Sequence, residues 1–194
     1  MFREGLPLPR LCPRGCSKMS QMKDDAEVLC EGRHMLFLRR RGWEYAEHRV
    51  AREAVMIVAL TDDGRIVLVE EFRPAVDARV ISPPAGLVGD EGPEEAIVAA
   101  RRELSEETGY EAAVFEFLAR GPGSAGQSSE LVTFFLARGA RLTGEQAAHD
   151  RGSIRVYAVP ISDLPAWARE REAEGVLIDP KVYAGLYLAH LAMR

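Results

Sequence analysis

Seven consecutive apolar residues, Ala54-Val55-Met56-Ile57-Val58-Ala59-Leu60, constrain what this chain can fold into more than any other stretch. A strand with one wet face alternates apolar and polar positions, and this run does not. It reads as a strand covered on both faces. Asp62-Asp63-Gly64 then turns the chain into a second apolar run, Arg65-Ile66-Val67-Leu68-Val69-Glu70, so the two form a hairpin.

Further strands are expected on either side of this pair. Arg33–Leu38 and Trp43–His48 read as a leading β-hairpin with a basic turn ending in Gly42, and residues 113–118, 131–136 and 154–159 as later strands. A glycine-rich stretch, residues 121–130, reads as a mobile loop able to approach a ligand. Two helices, near 162–174 and 181–193, close the chain. Strands before and after a central helix, with a helical C-terminus, predict an α/β fold in which a mixed β-sheet is sandwiched between helices.

The central helix is the chemically loaded one. Pro93 suits a first helical position, where its missing N–H is no loss, and Glu94 and Glu95 suit the positive end of the helix dipole. Ala96, Ile97, Ala100 and Leu104 recur at helical steps, and Gly109 suits the C-terminal cap. Glu103, Glu106 and Glu107 then crowd one face, turned away from the core. Like charges so placed repel by a few tenths of a kcal/mol per pair, and a divalent cation reverses the sign. A solvated face in which Arg102 pairs with Glu106 would account for part of the same pattern.

At 194 residues, 47% hydrophobic, the chain is long enough for one domain with a substantial core. Its net charge of −5 argues against a nucleic-acid-backbone binder. No apolar run approaches the length of a membrane span. Residues 1–28 read as a disordered lead without the apolar core of a secretory signal, which points to the cytoplasm. Cys12, Cys16 and Cys30 lack zinc-ligand spacing and read as free thiols.

The segment Arg102-Glu103-Leu104-Ser105-Glu106-Glu107-Thr108-Gly109 resembles the Nudix box of pyrophosphohydrolases, G-x5-E-x7-R-E-U-x-E-E-x-G-U with U apolar. Glu94 falls at the position of the first box glutamate. Val88 stands where the box glycine belongs, and reading Gly86 as that glycine requires two additional residues in the loop. Trp43-Glu44, Glu71-Phe72-Arg73-Pro74, Pro84-Ala85-Gly86 and residues 175–179, in that order, resemble the ADP-ribose pyrophosphatase-like branch. One further departure is Ser82, where relatives of that branch frequently carry a glutamate.

The resemblance implies a Nudix α/β/α sandwich over residues 53–194, preceded by the N-terminal strands of residues 29–52. It implies a Mg2+-dependent hydrolase, with Mn2+ as a substitute ion, that cleaves ADP-ribose to AMP and ribose 5-phosphate. Glu103, Glu106, Glu107 and the Ala85 carbonyl would be metal ligands, with Arg102 orienting a glutamate. Candidates for the catalytic base are Glu130, Glu145 and Asp150, with His149 a further possibility, and Glu106 or Glu107 if none of these serves. Trp43 would stack on a nucleobase, Glu44 would accept from an adenine amino group, and Arg73 would bind a diphosphate oxygen. Relatives of the branch form homodimers in which N-terminal hairpins help build the partner's site. Other nucleotide sugars, such as GDP-mannose or UDP-glucose, are the alternative substrates, and a non-catalytic ADP-ribose sensor is the alternative class.

Overall fold

In a computed structural model, which describes residues 25–51, 53–89, 92–144, 146 and 153–194, the apolar run lies inside an eight-stranded mixed sheet. Strands β1 (Glu27–Glu31), β2 (Met35–Arg40) and β3 (Trp43–His48) form a separate antiparallel sheet. Then come β4 (Glu53–Leu60), β5 (Arg65–Arg73), β6 (Ala78–Ser82), β7 (Ala85–Leu87) and helix α1 (Ala96–Thr108). The remainder runs through β8 (Tyr110–Glu111), β9 (Val114–Pro122), β10 (Leu131–Arg138), β11 (Arg141–Leu142), β12 (Arg155–Pro160), α2 (Leu164–Ala173), β13 (Leu177–Ile178) and α3 (Lys181–Ala192).

Both faces of β4 are covered, and the period of two assigns each residue its layer. Val55, Ile57 and Ala59 pack on Ala99, Ala100 and Leu104 of α1. Val58 and Leu60 pack on Leu164 of α2 and Val182 and Ala189 of α3. Full burial of each such Val, Ile or Leu side chain contributes about 1.5–3 kcal/mol. On the second face α3 comes so near that a Cβ on Gly185 would stand 2.7 Å from Val58 Cγ2. The α/β/α sandwich is therefore built around the apolar run of residues 54–60.

Strands β4 and β5 pair only beside their turn, at Ala59 with Val67 and Leu60 with Ile66. Farther out β5 runs with β6, while β4 runs with β7. Pro83 and Pro84 carry the chain across the resulting split, where neither has an N–H left unpaired. The Pro84 carbonyl accepts from Ile57 N–H at 2.9 Å. This split positions the site described below.

One carboxylate lies deep in the sheet. Glu70 on β5 is 1% exposed and accepts from Arg79, from the Tyr157 hydroxyl at 2.7 Å and from Arg155 at 3.4 Å. Burial alone would raise its pKa, but Tyr157 and the two guanidiniums outweigh that and hold it below the ordinary value of 4.5. A carboxyl depressed on folding contributes stability above its unfolded pKa and loses it as pH falls through the folded one. Stability should therefore decline below about pH 4.5, and Glu70→Gln should flatten that decline in urea melts taken as a function of pH. Glu70→Ala, which strands the partners of a buried charge, should cost about 3 kcal/mol at neutral pH.

The sequence-based expectations need four corrections. The leading hairpin gains a third strand, β1, whose Glu27–Glu31 pairs with β2 within and beyond the end of the expected lead; residues 1–24 of that lead lie outside the described residues. Helix α1 starts at Ala96, not at Pro93, because Glu94 is engaged sideways by Gly89 N–H at 3.1 Å and by Arg102 at 3.0 Å. The short strands β7, β8, β11 and β13 carry no sequence signal of their own. The loop of residues 121–130 is pinned to β3, as described below. Gly109 does cap α1, at φ 71° with its N–H on the Ser105 carbonyl.

Candidate active site

Register decides which way the peptide groups of β7 face. The Pro84 carbonyl and the Val88 N–H bond β4, at Ile57 and Glu53 respectively. The alternating residues Ala85 and Leu87 must turn their peptide groups away from β4. Accordingly, Ala85 N–H donates to Glu107 Oε2 at 3.0 Å, and the Leu87 carbonyl accepts from Arg102 at 3.4 Å. The Ala85 carbonyl faces the same way, toward the polar side of α1.

Glu103 lies directly on Gly86. A Cβ at that glycine would stand 2.0 Å from the Glu103 carboxylate, so only glycine leaves it room. Glu103 and Glu107 are each only 9% exposed. The acidic face is thus not turned fully to solvent, as its charge suggests, but is half sealed by β7.

Arg102 gathers the remaining acids. Its guanidinium donates to Glu103 at 2.9 Å, Glu106 at 3.1 Å and Glu94 at 3.0 Å. Burial favours loss of its proton, but these carboxylates outweigh burial and raise its pKa, so it stays charged. The Arg102 hydrogen bond in turn holds the Glu94 carboxyl below its usual range, with Gly89 N–H adding to the effect. Glu94 therefore ties the lengthened loop to the helix. Gln146 closes the far end, donating to the Glu107 carbonyl at 2.7 Å.

Across β7 opens a cleft of about 500 Å³ lined by Arg73, Ser82, Ala85, Gly86, Glu130 and Lys181, among others. Arg73, Ala85 and Glu130, far apart in sequence, are thereby brought together. Arg73 pairs with Glu71 at the rim. The α1 glutamates are not among the described residues lining this cleft; they stand on the α1 side of β7. Lys181, 2.8 Å from the Asp179 that ends the 175–179 motif, borders the cleft without having been singled out, since one lysine before an apolar helix carries no distinctive pattern.

Trp43 and Glu44 lie elsewhere in this chain. Trp43 is 63% exposed beside Arg40, Arg41 and Ser128, and Glu44 pairs with Arg39 at 2.9 Å. Neither reaches the Arg73 cleft of its own chain. Glu145, His149 and Asp150 lie outside the described residues.

A donor set of carboxylates and a peptide carbonyl suits a hard divalent cation. Among the described residues no three His, Cys, Asp or Glu side chains converge on one point. Magnesium does not require such a cage, because it keeps several waters and is bound through one or two carboxylates plus substrate phosphates.

The family model for the NUDIX domain matches residues 50–178. The chain belongs to the NUDIX family. It is 33% identical over 138 residues to an ADP-ribose pyrophosphatase of Mycobacterium tuberculosis (strain ATCC 25618 / H37Rv), covering 71% of this chain and 64% of that protein. The chain thus spans under two thirds of that relative's length. It is also 33% identical over 148 residues to a GDP-mannose pyrophosphatase of Cronobacter sakazakii (strain ATCC BAA-894), covering 73% of each. The fold matches a crystal structure described as an ADP compounds hydrolase, with TM-score 0.63, 21% identity, and coverage of 91% of this chain and 97% of that one. Within this NUDIX chain the matched region contains β4 through β13, and hence all of α1 and β7 and most of the cleft, whose Asp179 and Lys181 lie just beyond it. The three-stranded N-terminal sheet precedes it.

Proposed function

We propose that this protein hydrolyses the diphosphate bond of a nucleoside diphosphate sugar, with ADP-ribose the preferred substrate and AMP and ribose 5-phosphate the products. One observation carries the reading. Glu103 and Glu107 are held, nearly buried, against Gly86 and Ala85 of a strand whose other side borders a cleft containing Arg73 and Glu130. Buried carboxylates are costly unless paired with positive charge; Arg102 supplies part of it for Glu103, and a bound cation would add to it.

Glu103, Glu106, Glu107 and the Ala85 carbonyl would between them hold one or more Mg2+ ions, or Mn2+ in their place, each through one or two of the carboxylates. Held there, a divalent ion would supply neutralisation of phosphate charge and a lowered pKa for the attacking water. Arg102 keeps Glu103 and Glu106 at a fixed spacing. Arg73 donates its planar guanidinium to a diphosphate oxygen, exchanging Glu71 for substrate. Glu130 takes the proton from the water, since it is the base candidate that borders the cleft; Glu145 and Asp150 are the alternatives. Trp43 stacks on the nucleobase and Glu44 accepts from its amino group.

Trp43 does not line the Arg73 cleft of its own chain, which favours a homodimer in which the hairpin serves the partner. Exposed Met35 and Phe37 on β2 of the N-terminal sheet support this. Sedimentation at micromolar concentration should give a dimer; monomer alone would count against a shared site. No helix among the described residues is long and apolar enough to cross a membrane, and we place the enzyme in the cytoplasm.

A substrate panel tests the assignment. ADP-ribose, GDP-mannose, UDP-glucose and ADP-glucose are each incubated with the protein and magnesium, and the products are separated. The highest kcat/KM is expected for ADP-ribose. A preference for GDP-mannose, the substrate named in one relative, would move the assignment within nucleotide sugars; binding of ADP-ribose without cleavage would make the protein a sensor.

A further inference from the structure

The glycine-rich segment before β10 is not free. It runs beside β3 as a single-bridge extension of the N-terminal sheet, with Ser128 opposite Ala46. Ala46 N–H donates to the Gln127 carbonyl at 2.8 Å, and Ser129 N–H donates to the Ala46 carbonyl at 3.1 Å. The Trp43 indole N–H donates to the Gly126 carbonyl at 3.1 Å. Next along β3 is Glu47, a carboxylate only 5% exposed, which accepts from the Ser129 hydroxyl at 3.1 Å.

The residue after Ser129 is Glu130. Its N-terminal tether is this clasp, and its own carbonyl accepts from Gly123 N–H at 3.2 Å. Its carboxylate passes over Gly123, where an added Cβ would stand 3.2 Å from Glu130 Oε2, and it borders the cleft with Ala85 and Gly86. A loop of small polar residues has many conformations of similar energy. Holding one carboxylate in a single place therefore needs outside contacts, which β3 supplies at four consecutive loop residues.

We infer that Glu47 is a positioning residue for the reaction: through Ser129 it fixes the loop so that Glu130 faces the cleft. A buried carboxylate in a strand is a costly way to fill space, whereas its directional bond to Ser129 fixes the register of the loop. The inference rests on the proposed role of Glu130 and adds that the N-terminal sheet sets the geometry of the hydrolytic site in its own chain.

The test is a double-mutant cycle on the full chain with ADP-ribose and magnesium, comparing Glu47→Gln, Glu130→Gln and the double variant. Ser129→Ala and Ser129→Thr form an independent pair. Glu130→Gln should lower kcat about a hundredfold. Glu47→Gln and Ser129→Ala should each lower kcat about tenfold with KM within twofold, since a misplaced group loses rate rather than uniform binding. The double variant should be no slower than Glu130→Gln alone, and Ser129→Thr, which keeps the hydroxyl, should restore most of the rate. Losses from Glu47→Gln and Glu130→Gln that multiply would overturn the inference, as would an effect on KM alone. If Glu47→Gln does not fold, the serine pair decides: equal rates for Ala and Thr overturn it. An unchanged rate in Glu130→Gln, by contrast, would remove Glu130 from the chemistry itself and take the inference down with its premise.

Discussion

Glu107→Gln should lower kcat by about a thousandfold, or roughly 4 kcal/mol of transition-state stabilisation, while the protein remains folded. The substituted amide keeps an oxygen that can accept the Ala85 N–H, so the 3.0 Å bond between α1 and β7 survives. What it loses is the charge, and with it a metal ligand. Far-UV circular dichroism and a thermal melt close to wild type, together with the loss of rate, would separate chemistry from folding. A variant that melts early would instead mean that the carboxylate mainly holds β7 to the helix.

Gly86→Ala should act by a different route. Its Cβ would overlap the Glu103 carboxylate at 2.0 Å, and Glu103 must give way. The displaced atoms are the end of a flexible side chain and not backbone, so the fold can accommodate the change. A working carboxylate cannot, because a misplacement of about 1 Å can cost about a hundredfold in rate. The expected result is a fall in kcat of about that size with a melting temperature near wild type. Full activity in Gly86→Ala would mean that the seat of Glu103 on Gly86 is not its working position. Together the two variants test both carboxylates that face β7.

The sequence carries the layered core plainly because β4 is buried on both faces, and continuous burial leaves a continuous apolar run. It carries α1 almost as plainly, through apolar spacing and the Gly109 cap. The start of α1 is misread because propensity rules describe an isolated helix: Pro93 and two glutamates look like a first turn until Arg102 and Gly89 claim Glu94. Strands of two or three residues, such as β7 and β13, are too short to show a period. β7 exists because β4 diverges from β5 and leaves an edge to be paired, and β13 because it extends the outer side of β6; both are properties of the assembled sheet.

Candidate site residues divide along the same line. Glu103, Glu106, Glu107 and Arg102 are legible because one helical turn fixes their spacing. That Glu103 and Glu107 are nearly buried is not legible, since β7 covers them from a separate segment. Arg73, Ala85 and Glu130 are brought to one cleft by the split in the sheet. Glu47 leaves no trace in the sequence at all: a glutamate in an alternating strand reads as a solvent-facing residue, whereas in the fold it is 5% exposed and bonded to the clasped loop.

The most direct test of the account is release of AMP from ADP-ribose by protein first treated with EDTA and then supplied with magnesium. No AMP is expected before the metal is restored, and AMP with an equal amount of ribose 5-phosphate after it. ADP-ribose that binds but stays intact at every magnesium concentration would contradict it and leave the α1 carboxylates without a hydrolytic role.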